Sequence, residues 1–223
     1  GELKNTAGTA LLDAQFKLAG AELATADGPG GIAGRLDLSA AVTGNGKSLG
    51  GLIASLAGSG SARIADPVLR GVDPAALPEL LRRADAIGRD IDAASIADFA
   101  GAVAGRGDFS GGPVELALTL ANGVVRAPPV TVAGDKANLS ADLRVDLESG
   151  AVEVNGTVTY AAGEEALVGS EPALRFAIAG PATQPSLSFD SEPLAQFLTQ
   201  RALEREQARV EAMQAALLET QRL

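Results

Sequence analysis

The side chains best equipped for chemistry in this chain are its carboxylates and hydroxyls, because it contains no histidine and no cysteine. Asp85, Asp90, Asp92 and Asp98 fall close together, and a cluster of that kind can supply an acid/base pair or oxygen ligands for a hard cation. An acid/base pair needs two environments that push the pKa values apart, and a calcium loop needs alternating ligands around a central glycine. The spacing here matches neither, so the four read as the solvated face of a helix. Asp66, Asp73, Asp108 and Asp190 each stand beside Pro, Gly or Ser and read as turn and cap residues. Serine is plentiful, but without histidine there is no Ser-His triad, and a Ser-Lys dyad needs a spatial pairing that spacing does not show. Gly44-x-Gly46, followed by Lys47 and Ser48, and Gly58-x-Gly60 superficially suggest phosphate loops. A phosphate loop needs four residues between its first glycine and its Gly-Lys-Ser/Thr; here the glycines simply permit turns. No catalytic residue, no cofactor and no metal site is therefore expected.

Charge narrows the partners. A formal net charge of −10 without a basic cluster argues against nucleic acid and against electrostatic docking on anionic lipid heads, both of which require Lys/Arg stripes. The absence of cysteine excludes a disulfide framework and is compatible with an oxidising compartment. No segment approaches the ~20 consecutive apolar residues of a membrane-spanning helix. The first residues, Gly1-Glu2-Leu3, lack an initiator Met, so the chain reads as an excised piece whose signal or anchor lies elsewhere.

Stepping outward from these residues, the dominant pattern is two-residue alternation. Val114, Leu116, Leu118 and Leu120 alternate with polar neighbours, as do Leu139 to Leu147 and Val152 to Tyr160, which predicts strands with one face in water and one on apolar company. Ala10 to Leu18 and Ile32 to Thr43 read the same way, followed by a strand over Ser61 to Leu69 and closing strands at Leu174–Ile178 and Leu187–Phe189. Ala121-Asn122-Gly123 and Glu148-Ser149-Gly150 predict hairpin turns. Pro128-Pro129 cannot donate to a ladder and predicts an edge, bulge or crossing point. Aromatics make up only 3% of the chain, which suits a thin or curved sheet better than a thick sandwich.

Helical signals are confined to three places. Ser48 predicts an N-cap for a short helix over Leu49 to Leu56. Residues 73–104 form a helical insert, with Pro74 in a first turn, Leu77, Leu80, Leu81, Ala84 and Ile87 at helical spacing, and Ser95 capping a second helix over Ile96 to Val103. From Ser191, with Pro193 in its first turn, a long charged helix is predicted to Leu223. Its narrow seam, Leu203, Val210, Met213 and Leu217, predicts packing on a partner, another copy or a missing segment, with packing on its own domain as the rival. The division expected is a β domain over 1–190 and a C-terminal helix over 191–223, itself truncated.

Three segments, Ser48 to Asp73 (SLGGLIASLAGSGSARIADPVLRGVD), Leu120 to Gly134 (LANGVVRAPPVTVAG) and Ile178 to Leu187 (IAGPATQPSL), resemble in order and spacing the C-terminal region of the AsmA-like family of bacterial envelope proteins. The likeness covers about residues 32 to 190. It implies a periplasmic protein tethered to the inner membrane by an N-terminal segment not in this chain, with an elongated, curved, mainly antiparallel sheet whose apolar groove carries phospholipid between membranes. It brings no catalytic residues, and the charged helix after Ser191 departs from the family pattern. On this reading the groove is lined by Leu36, Leu38, Val114, Leu116, Leu118, Leu143, Val145, Val152, Val154 and Val158, which shield phospholipid acyl chains. The rival expectations are a sealed interior, a groove plugged by the helical insert, and an envelope scaffold whose 191–223 helix recruits a protein partner or a second copy.

Overall fold

The computed structural model of the chain describes residues 1–6 and 8–220. Eleven strands form one antiparallel sheet: β1 (Glu2–Thr6), β2 (Thr9–Ala24), β3 (Ile32–Gly46), β4 (Ala57–Leu69), β5 (Phe109–Ser110), β6 (Val114–Ala121), β7 (Val124–Ala133), β8 (Ala137–Asp146), β9 (Ala151–Tyr160), β10 (Ala173–Pro181) and β11 (Ser186–Asp190). Their order follows the chain, except that β5 adds to the end of β4 beside β6. The path ends at β1 and β11, so the sheet is not closed. The expected mainly β class with a helical insert and a long C-terminal helix is what folds.

Local chemistry explains the ladder. Asn122 (φ 52) and Gly123 (φ 72) both sit in the left-handed region, the conformation a two-residue hairpin between β6 and β7 needs to match strand twist. Pro128-Pro129 falls where the β7–β8 register shifts between Ala127 and Val130, a bulge that absorbs two residues without donors. β2 is longer than its alternation suggested, 16 residues or roughly 50 Å at ~3.3 Å per residue, because a register shift between Leu18 and Ala21 lets it bend and continue. β1 was missed by sequence reading altogether.

The strands share two ends. At one end lie the β3–β4 connection with α1 (Leu49–Ala54), the β6–β7 turn and the β8–β9 turn; Ser48 caps α1 as expected, its Oγ accepting from the Gly51 amide. At the other end the insert supplies α2 (Leu77–Ile87) and α3 (Ala93–Ala104), joined after β11 by α4 (Glu192–Thr220). Sequence reading misplaced two caps here. Pro78, not Pro74, stands in the first turn of α2, and Asp92, not Ser95, is the N-cap of α3. The Asp92 carboxylate accepts from the Ser95 amide while Ser95 Oγ accepts from the Asp92 amide, a reciprocal capping box that holds the Asp92 carboxyl below its ordinary pKa.

The core is the seam where these three helices meet the sheet. Leu80, Ile96, Phe99, Val103, Leu194, Phe197 and Leu198 pack on Val158, Leu174, Phe176 and Ile178, all buried. At this helix-covered end the sheet curls until its last strands meet the β2–β3 turn and the loop after β4: a Cβ placed on Gly30 would lie 3.4 Å from Ile178, and one on Gly71 would lie 3.1 Å from Leu187. No ladder joins the two margins.

The first turns of α4 belong to this core. Leu194, Ala195, Phe197, Leu198 and Arg201 are buried against the insert and β10, because 194, 197, 198 and 201 share one helix face. The seam predicted for partners, Leu203, Val210, Met213 and Leu217, is exposed on the distal part, about 27 Å of helix at 1.5 Å per residue. The part of the expected helix beyond Thr220 lies outside the described residues.

Candidate functional site: the apolar inner face

Register places every alternating apolar set on the same side. Leu18, Leu38, Ala62 and Leu116 form one row across β2, β3, β4 and β6. Leu120, Val125, Val145 and Val152 form another across β6 to β9. A third runs Ala127, Leu143, Val154, Ile178, Leu187 across β7 to β11. A one-residue slip in any strand would invert its pattern; none occurs, and from β2 to β11 this inner face carries no charged side chain. The charges, among them Lys17, Arg35, Asp37, Arg63, Glu115, Arg144, Glu153, Arg175 and Asp190, stand on the outer face, where Arg63–Glu115, Arg144–Glu153 and Arg175–Asp190 pair across strands at 3.0, 2.9 and 3.0 Å.

The helices cover only the end of this face to which they are attached. At the boundary lies an apolar cavity of about 130 Å³ lined by Ile64, Phe109, Val114, Leu116, Leu143, Val154 and Phe176 among others. Its floor depends on Gly156. A Cβ there would fall 2.3 Å from the Phe176 ring, so the glycine lets that ring lie flat on the sheet beneath the cavity. A dry apolar cavity of ~150 Å³ accepts a benzene-sized guest. This one is of comparable size and opens toward the uncovered face.

The groove residues expected from sequence divide by position. Val114, Leu116, Leu143 and Val154 line the cavity. Leu36 and Leu38 are half-buried level with the cavity, in the rows of Val114 and Leu116, while Leu118, Val145 and Val152 are half-buried on the same face toward the uncovered end. Val158 is not a groove residue: it is fully buried in the core beneath the helices, because alternation tells which face a residue is on and not what covers that face. The sealed-interior and plugged-groove expectations each hold for one end only. Sequence reading left out Phe16 and Leu18, which are 53% and 45% exposed on the inner face of β2, although the same alternation marked them. It also omits Leu52 of α1 and Leu56 just after it, which lie over Gly44.

The carboxylates form no competing site. Asp85 and Glu165 belong to a clamp in which buried Arg201 donates to Asp85 at 2.5 Å and to Glu165 at 2.6 Å, and Arg205 reaches the same two at 3.1 and 3.0 Å. The clamp ties α4 to α2 and to the turn after β9. Arg201 opposes its own burial by bonding both carboxylates, which keep it charged, and its guanidinium in turn holds Asp85 and Glu165 below their ordinary pKa values. Asp190 caps α4, its Oδ1 accepting from the Glu192 amide, and Asp108 accepts from the Gly71 amide; both are cap or turn residues as expected. Among the described residues no group of three or more His, Cys, Asp or Glu could hold a metal ion.

Two stability predictions arise here. Because the folded-state values of Asp85 and Glu165 are lowered, the clamp's contribution is complete above their ordinary values of 3.8 and 4.5 and is lost as pH falls through the lowered ones. Urea midpoints should therefore stay level from neutral pH to about 5 and fall below about 4, with a smaller acid loss in an Asp85→Asn, Glu165→Gln variant. The second concerns Tyr160, which is buried with no hydrogen-bond partner for its hydroxyl; burial, with the Asp73 charge, pushes its pKa up. Tyr160→Phe removes the unpaired hydroxyl and should leave stability level or raise it by up to about 1 kcal/mol in thermal melts.

Compared with family models, with curated proteins and with solved structures, the chain finds no match. The likeness to the AsmA-like pattern therefore rests on the three quoted segments. Among the described residues no helix is long and apolar enough to cross a membrane.

Proposed function

We propose that this chain is a non-enzymatic module of the bacterial envelope that shields lipid acyl chains on the inner face of its sheet, as a step in moving phospholipid between inner and outer membrane. The observation that carries this reading is an inner face without a charged side chain from β2 to β11 that helices cover at one end only. An uncovered apolar face of this extent is costly in water unless something occupies it, and each CH₂ withdrawn onto it gains about 0.8 kcal/mol. Headgroups stay in water at the margin. The segment resemblance supports a periplasmic location with an inner-membrane tether outside this chain. Organic extraction and mass spectrometry of protein purified from membranes should find phospholipid at near one per chain. A lipid-free extract, together with no binding of a labelled phospholipid, would overturn the reading.

A second reading has its own observation. Leu203, Val210, Met213 and Leu217 are exposed on the distal part of α4, the arrangement expected if this helix recruits an envelope protein or a second copy in a scaffold. Cross-linking that joins copies or a partner through residues 203–220, and vanishes when the chain ends after Ala202, would favour it.

A further inference from the structure

We propose that the uncovered end carries a headgroup site for a zwitterionic amino-phospholipid, with Lys47 taking the phosphate and Glu148 the ammonium; this rests on the acyl-chain reading above. The end is a built rim. The Gly123 amide donates to the Leu56 carbonyl at 3.1 Å and the Leu147 amide donates to the Gly123 carbonyl at 2.9 Å, so the α1 connection, the β6–β7 turn and the β8–β9 turn are fastened side by side. Lys47 directly precedes the Ser48 cap of α1. The Glu148 carboxylate reaches the first turn of α1, 3.8 Å from where a Gly50 Cβ would stand. A cation next to it in the chain and an anion next to it in space thus stand at the same first turn of α1. Both are exposed, and neither has an ion-pair partner among the described residues. Leu52 of α1 and Leu56 just after it meanwhile cover the inner face at Gly44, so a tail on that face leads its headgroup to this turn.

The charge balance selects the headgroup. Asp146 is committed to its own turn, its Oδ1 accepting from the Glu148 and Ser149 amides, and Lys47 is the one cation among the turns of this end. A headgroup with a net negative charge meets one lysine, two carboxylates and a chain of net charge −10. A phosphate with a tethered ammonium finds a partner for each of its charges.

The test titrates the full chain with phosphatidylethanolamine and with phosphatidylglycerol of identical acyl chains in neutral detergent micelles, reading bound lipid by native mass spectrometry. The wild-type chain should prefer phosphatidylethanolamine by roughly fivefold, the upper range for exposed ion pairs, and less at high salt. Glu148→Lys should invert the preference and Lys47→Glu should weaken phosphatidylethanolamine, with melting temperatures unchanged in both. Equal binding of the two lipids by the wild-type chain, unaltered in Glu148→Lys, overturns the headgroup site and leaves the acyl-chain reading standing. Binding of neither lipid overturns both.

Discussion

Ending the chain after Asp190 should abolish cooperative folding of the helix-covered end, whereas ending it after Ala202 should leave the urea midpoint nearly unchanged. The first truncation removes Leu194, Phe197 and Leu198, all buried, and large-to-small losses at such sites cost about 2–5 kcal/mol each. Their sum is comparable to the whole stability of an ordinary domain, about 5–15 kcal/mol. The second removes the exposed distal helix, and with it Arg205, whose half-exposed ion pairs to Asp85 and Glu165 contribute little. Within the retained part Arg201 is the most sensitive polar position. Arg201→Ala leaves the partly exposed Asp85 and Glu165 with Arg205 alone and opens a void where the stem packed, and should cost about 1–3 kcal/mol, while Arg201→Met, which keeps the packed stem, should cost less. Urea denaturation followed by circular dichroism separates these cases. A normal midpoint for the chain ending at Asp190 would show that α4 is a separate element after all.

Leu118→Asp should reduce lipid binding more than tenfold, and Thr119→Asp, one position along the same strand, should leave it unchanged. The two side chains leave β6 on opposite faces: Leu118 is half-buried on the inner face and Thr119 is exposed on the outer one. A carboxylate at 118 has no cationic neighbour on its face, so an acyl chain laid over it must either desolvate the charge or abandon the site. Leu118 lies outside the helix-covered core, so the fold should survive, with a stability loss of about 1–3 kcal/mol. Equilibrium binding of a fluorescent phospholipid reads the contrast, and equal loss at both positions would point to unfolding or surface charge instead of the face.

Much of the sheet was legible because a period of two is a local property. The apolar sets of β3, β6, β8 and β9, the Asn122-Gly123 turn and the Pro128-Pro129 bulge each follow from residues within a few positions of one another. Coverage was not legible. Val158 and Val145 look alike in sequence, yet one lies under the helices and the other is half-buried, a distinction made by elements far away in the chain. Asp85 read as solvated because its partner Arg201 lies 116 residues on. The burying face of α4 was present as Leu194, Phe197, Leu198 and Arg201, but a charged residue on an apolar face breaks the pattern unless its carboxylate partners are known, and the more distal seam was noticed instead. The cavity was least accessible, since a void arises from how helices seat on a sheet and leaves no periodic trace.

Lipid shielding requires an acyl chain resting against the inner face. A phospholipid bearing a photoactivatable diazirine midway along one acyl chain, bound to the full chain, irradiated and mapped by peptide mass spectrometry, tests this most directly. The predicted result is adducts on inner-face positions of β3, β6 and β8, with Leu38, Leu116, Leu118 and Leu143 foremost, and none on Arg63, Glu115 or Thr119 opposite them. Adducts confined to the outer face or to residues 203–220 would contradict it.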